Sequence, residues 1–338
     1  FRLGYNLMIL RRPEESIQAF SKVLEINPDA DPAAMINIAT CYNMMGNYQD
    51  ATDYYQRAFR LNPEWETHTG INHEYGFAFV KMGDLTRASA IFSKLLDGNT
   101  YQQAQGKRSI SLLLMFQGKY AEARSVMHEA AVLHGSLGYK VSELRDRLYL
   151  CKIFQAMGLE EELQTEVEYC NASVTEATTE PIMFLRLGVL LARSGKLVRS
   201  KGILEEILER SNQGNKTDEA AYYLLKGEIE LTEGKYEDAL VQLETAIALD
   251  ENVYNLESLA RCYIAMEDWP RVIVTCEKMI NDKSALGWEG QESWIQAHLD
   301  LITACRKTGD SLKALQTEEH ILEIWAEADE GLPSLRGI

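Results

Sequence analysis

Residues 42–63 read YNMMGNYQDATDYYQRAFRLNP, and their spacing decides the fold. Tyr42, Gly46, Tyr48, Ala51, Tyr55, Ala58 and Pro63 mark two short amphipathic helices, with apolar residues at steps of three and four. Gly46 closes the first helix, where a left-handed backbone is needed. Pro63 follows the second, where it interrupts no hydrogen bond. The same slots return as Phe79, Gly83, Leu85, Ala88, Phe92 and Leu95, then as Leu114, Gly118, Tyr120, Ala123, Met127 and Ala130. A period of about 35 residues is the signature of a solenoid. In such arrays each unit packs on its neighbours, and the usual product is a long binding surface.

The slots run through almost the whole chain. The first unit has Leu3-Gly4, Leu7, Ser16, Phe20, Val23 and Pro28. The third has Tyr75-Gly76, and the fourth Ile110-Ser111. The fifth has Leu150-Cys151 and Gly158, with Leu163 in a slot for a small residue. Leu187-Gly188 and Ser200 mark the sixth, and Gly227, Gly234, Ala239 and Leu243 the seventh. Leu259-Ala260 marks the eighth, where Glu267 stands in place of the turn glycine. Leu301-Ile302, Gly309 and Ala314 mark the ninth. These residues resemble the tetratricopeptide repeat (TPR). The resemblance implies an all-α solenoid, a right-handed superhelix of about nine helix-turn-helix repeats, forming a single array over residues 1–338.

The spacing is not uniform. Gly118 and Gly158 lie 40 residues apart, so the helices around Leu133–Arg145 are expected to be long. Weaker or longer repeats fall around 133–175 and 281–325. Asn281–Glu292 reads as a longer loop whose Trp288 could serve as a binding handle or fold back on the last repeats.

The chain of 338 residues has a formal net charge of −17, from 51 acidic and 34 basic residues. That balance speaks against nucleic acid or an anionic membrane as partner. No apolar run is long enough to span a membrane. The cysteines Cys41, Cys151, Cys170, Cys262, Cys276 and Cys305 form no CxxC pair and occupy packing slots. Buried free thiols suit a reducing compartment, so the cytoplasm is expected. The sequence opens at Phe1 inside a repeat pattern, so it reads as truncated at its N-terminus.

No catalytic constellation is visible: no phosphate-binding loop, dinucleotide fingerprint, HExxH or GxSxG. The histidines His68 and His73 are five apart and face different ways on a helix. No metal, cofactor or enzymatic activity is expected, and acidic runs such as Glu160-Glu161-Glu162 read as solvated helix faces.

The TPR resemblance implies that first helices line a groove. Its slots lie five and two residues before the Leu slot and two, five and six after it. They hold Lys81, Arg108, Arg145, Lys152, Arg193, Arg261, Arg306 and Lys307, against only Glu228 and Glu257. In an acidic chain this suggests a cationic groove, and an acidic or extended peptide of a protein partner is its expected ligand. Asn43, His73, Phe77, Leu112, Met115 and Gln155 lie in or beside the same slots as hydrogen-bonding groups and apolar anchors. The set of Lys and Asn with which some TPR proteins grip a C-terminal carboxylate is incomplete.

The ending Ile324-Trp325-Ala326-Glu327-Ala328-Asp329-Glu330-Gly331-Leu332-Pro333-Ser334-Leu335 resembles the close of TPR arrays appended to bacterial serine/threonine kinases and some winged-helix regulators. It implies an alternative role, as the regulatory or sensory region of a larger signalling enzyme. Trp325 is expected to seal the exposed end of the solenoid.

Overall fold

The computed structural model describes residues 1–26, 32–173, 181–210, 215–281 and 290–337. Among them are eighteen α-helices and no strand. In chain order they are α1 (Arg2–Ile9), α2 (Pro13–Ile26), α3 (Pro32–Met44), α4 (Tyr48–Leu61), α5 (Thr69–Lys81) and α6 (Leu85–Ser93). Then come α7 (Thr100–Phe116), α8 (Tyr120–Ser136), α9 (Lys140–Met157), α10 (Glu160–Ser173), α11 (Pro181–Arg193) and α12 (Leu197–Arg210). The last six are α13 (Lys216–Thr232), α14 (Tyr236–Leu249), α15 (Val253–Ala265), α16 (Trp269–Asn281), α17 (Gln291–Thr308) and α18 (Ser311–Ile324). Odd-numbered helices are the first helices of their repeats, even-numbered ones the second. The long fourth and fifth repeats appear as a 17-residue α8 and an 18-residue α9. Trp288 lies outside the described residues.

The local chemistry of each hairpin explains its geometry. The turn glycines take the left-handed backbone, with Gly46 at φ 73°. Glu267 takes it too, at φ 55°, where an L side chain is strained. Helix starts are capped by side chains: Asp84 accepts from the Arg87 N–H at 3.0 Å, and Asn252 from Tyr254 and Asn255 at 3.0 and 3.1 Å. The small-residue slots are close helix contacts. A Cβ on Gly76 would stand 2.1 Å from the ring of Phe92, which is fully buried. Where Ser replaces Ala, its hydroxyl finds a carbonyl across the hairpin: Ser16 donates to Gly4 at 2.8 Å and Ser200 to Gly188 at 2.9 Å.

The sequence reads as one array, but the helices group as two compact units, one ending at Leu113 within α7 and one beginning at Leu114. The first unit has an aromatic core. Tyr55, Phe59, Tyr75 and Phe79 stack edge to face at centroid distances of 5.2–5.5 Å around Tyr75. In the second unit each first helix packs on the next, α9 on α11, α11 on α13, α13 on α15 and α15 on α17.

The C-terminal phrase does not seal the last helix pair. It returns to the α7–α8 turn of the same unit. The Trp325 indole N–H donates to the Phe116 carbonyl at 3.0 Å, and its ring lies edge-on to Tyr120. The Asp329 N–H donates to the Gly118 carbonyl at 3.1 Å, and its carboxylate accepts from the Ala121 N–H at 2.7 Å. Glu327 pairs with Lys119. The second unit is therefore closed by a clasp between residues more than two hundred positions apart.

Candidate binding faces of the first helices

In the second unit the first helices carry a ladder of buried ion pairs. Glu228 on α13 is its centre, with a fully buried side chain. Its carboxylate accepts from Arg193 of α11 at 2.6 Å and from the Ser258 hydroxyl of α15 at 2.5 Å, and it pairs with Arg261 of α15. Arg193 also reaches Glu257 of α15 at 2.6 Å, and Ser293 of α17 donates to that carboxylate at 2.5 Å. Lys152 of α9 meets Glu292 of α17 at 2.7 Å. Burial alone would raise Glu228, but Arg193 and Arg261 outweigh it and hold the carboxyl at about 2. Glu257, against the same burial, is held at about 2 by Arg193 and Lys152.

This ladder corrects the expectation of a cationic stripe. Lys152, Arg193 and Arg261 are where the spacing put them, but each is engaged by a carboxylate of another first helix. Glu292 supplies one of those acids from outside the groove slots, because α17 starts a turn and a half ahead of its first slot. Arg306 pairs with Glu318, and Lys307 lies over the Trp269 ring at 5.7 Å. Arg145 is half-buried on α9, while Gln155 near the end of that helix is exposed.

Arg108, in the first unit, is 3% exposed and donates to Gln105 at 3.1 Å, so it is a packing residue. The expected apolar anchors are also buried. Phe77 and Leu112 of the first unit and Met115 of the second are between 3% and 5% exposed, and Phe77 stands edge-on to Tyr48.

The first unit also carries a polar face on its first helices. His73 of α5 contacts Ser109 of α7, with 2.5 Å between Nδ1 and the hydroxyl. Asn43 of α3 is buried, and its amide donates to the Glu74 backbone carbonyl at 3.0 Å and reaches the Glu74 carboxylate at 3.5 Å. Glu74 is exposed, yet desolvation raises its carboxyl in spite of the Asn43 amide. Lys81 is half-buried over the Phe77 ring, and desolvation brings its ammonium down to about 7. Glu74 was missed by the slot reading because it lies one position before the Leu slot, beside His73.

Among the described residues no group of three His, Cys, Asp or Glu is placed to hold a metal, and no helix is long and apolar enough to cross a membrane. All six cysteines are buried and free.

Comparison with known proteins agrees with the hairpin geometry. The tetratricopeptide repeat family matches at residues 32–64, and again at 1–30 and 220–253. The sequence matches no curated protein. A tetratricopeptide repeat protein from Parabacteroides merdae superposes with a TM-score of 0.50 at 17% identity, covering 77% of this chain and 96% of that one. The human IFIT1 dimer with m7Gppp-AAAA gives 0.53 at 16% identity, covering 96% of this chain and 70% of that one. The same protein with PPP-AAAA gives 0.53 at 15%, covering 94% and 70%. At these identities the likeness is one of fold. The chain thus carries tetratricopeptide repeats in an all-α solenoid of helical hairpins.

Proposed function

We propose that the chain is a non-catalytic scaffold that holds an extended peptide segment of a partner protein against its first helices. The observation that carries this reading is the polar face of α3, α5 and α7 in the first unit, where Asn43, Glu74, His73 and Ser109 are brought together. Hydrogen-bonding groups on a partly buried face gain more from a ligand's hydrogen bonds than fully solvated ones do. The reading without catalysis is supported by the lack of a recognisable catalytic motif in the sequence. The cytoplasm fits six buried thiols. The alternative, a regulatory or sensory region of a larger signalling enzyme, rests on the resemblance of the C-terminal phrase, of which Trp325, Glu327 and Asp329 make the clasp.

The IFIT1 structures hold RNA, and that raises the same question for this chain. A phosphate ligand would have to displace carboxylates from Arg193 and Arg261 in a protein of net charge −17, which favours a peptide. The test is a random dodecapeptide library displayed against the whole chain, with affinities then measured by fluorescence anisotropy. The expected result is micromolar peptides weakened at least tenfold, about 1.4 kcal/mol, by His73→Ala or Lys81→Glu. Peptides that bind indifferently to both substitutions, or tighter binding of a 5′-triphosphate RNA, would overturn the reading.

A further inference from the structure

We propose that Glu74 and Asn43, on adjacent first helices of the first unit, form a site for a cationic side chain, the lysine or arginine of a bound peptide. This inference rests on the peptide-scaffold reading and names the chemistry of its ligand.

The argument begins with a contrast. In the second unit three carboxylates on first helices have cations: Glu228 has Arg193 and Arg261, Glu257 has Arg193, and Glu292 has Lys152, whereas Asp300, one position before Leu301, accepts from Gln296. Glu74 occupies the equivalent face of the first unit, and among the described residues its carboxylate meets only the Asn43 amide, at 3.5 Å. His73, next to it in sequence, is turned towards Ser109 and Gln105. Lys81 lies seven residues further along α5, about 10 Å at the helical rise, with its ammonium over Phe77. No cation of the described residues serves Glu74.

Asn43 supplies the second, independent observation. It is 4% exposed, and its Nδ2 already donates to the Glu74 carbonyl and the Tyr55 hydroxyl. Its Oδ1 is buried and accepts from nothing among the described residues. Buried polar atoms are nearly always satisfied, and an orphan is costly. Among the described residues the site is therefore short of donors on two counts: a carboxylate without a cation and an amide oxygen without an N–H. An ammonium carries three donors and a guanidinium five, and neither can act as an acceptor that would compete with the Asn43 amide. A carboxylate ligand would meet Glu74 instead and be repelled. The acidic surface of the chain as a whole, at −17, steers basic segments towards it.

The test uses peptides selected on the whole chain as above. We expect Lys or Arg to be enriched at one peptide position, and Glu74→Gln to weaken binding at least tenfold while leaving the melting curve unchanged. Replacing the peptide's basic residue by Gln should cost the same factor, and the two changes together should cost little more than either alone. Peptides that bind without a basic residue, or that ignore Glu74→Gln, overturn this site and leave the scaffold reading intact. Displacement of the peptide by free arginine amide at equal concentration overturns the peptide as occupant in favour of a small amine. A chain that selects no peptide overturns the scaffold reading and this site with it.

Discussion

At the scale of the residue, repeat proteins spend their stability on a few recurring positions. Gly76 is one: its missing Cβ is the space that the buried Phe92 ring fills. Gly76→Ala should overpack that contact and cost about 1–3 kcal/mol, read as a lower urea midpoint with unchanged slope. Glu267 is the converse, a side chain at positive φ where most other repeats have glycine, the first repeat having Arg11. Glu267→Gly should stabilise by about 1 kcal/mol, and a lowered melting temperature would refute the strain. Both positions are legible in the sequence, because a departure from a nine-fold pattern exposes itself. Charge is less legible. Desolvation raises Asp300 to about 6, although Gln296 donates to it and Arg261 is near. The unfolded carboxyl ionises near pH 4, so between about pH 4 and 6 the folded form resists ionisation and stability falls as pH rises. Asp300→Asn should remove that fall, a gain of about 1 kcal/mol at pH 7 after allowance for partial exposure. Glu228 and Glu257 act in the opposite sense: their contribution is full above about pH 4.5 and is lost as pH falls towards 2. Urea midpoints of wild type and Asp300→Asn from pH 4 to 7 separate the two.

At the scale of the element, helices and turns follow from the period, but the clasp does not. Trp325, Ala328 and Asp329 stand out as a phrase in the sequence, while their acceptor, the Phe116–Ala121 turn, has the ordinary features of a repeat turn. Nothing local announces that residues some 208 positions apart will meet. The physical reason for the contact is visible only in three dimensions. The first turn of α8 has no capping side chain of its own at Lys119, and Asp329 supplies the missing acceptor to Ala121. Asp329→Ala should therefore cost about 1 kcal/mol. Trp325→Ala removes a ring that is 4% exposed together with its hydrogen bond to Phe116, and should cost about 3–5 kcal/mol. If Trp325→Ala melts like wild type, the clasp does not hold the second unit closed. The same long reach explains the missed acids. Glu292 lies on an early turn of α17, ahead of any slot, and becomes a partner of Lys152 only because the unit closes.

At the scale of the whole molecule, the all-α class and the repeat boundaries were readable because each hairpin is a local object repeated many times. The electrostatics of the binding face was not, because a slot census counts charges without their partners. Arg193 counted as a groove cation while it is shared between Glu228 and Glu257. Glu74 went uncounted, and among the described residues its carboxylate meets the Asn43 amide and no cation. The central claim is that partners are held by first helices, at the polar face of the first unit around Asn43, His73 and Glu74. Hydrogen–deuterium exchange of the whole chain, with and without a selected peptide, tests it most directly. Binding should slow exchange in α3 and α5 around Asn43, His73 and Glu74, and leave the second helices α4 and α6 unchanged. Protection confined to second helices, or to the second unit alone, would contradict the account.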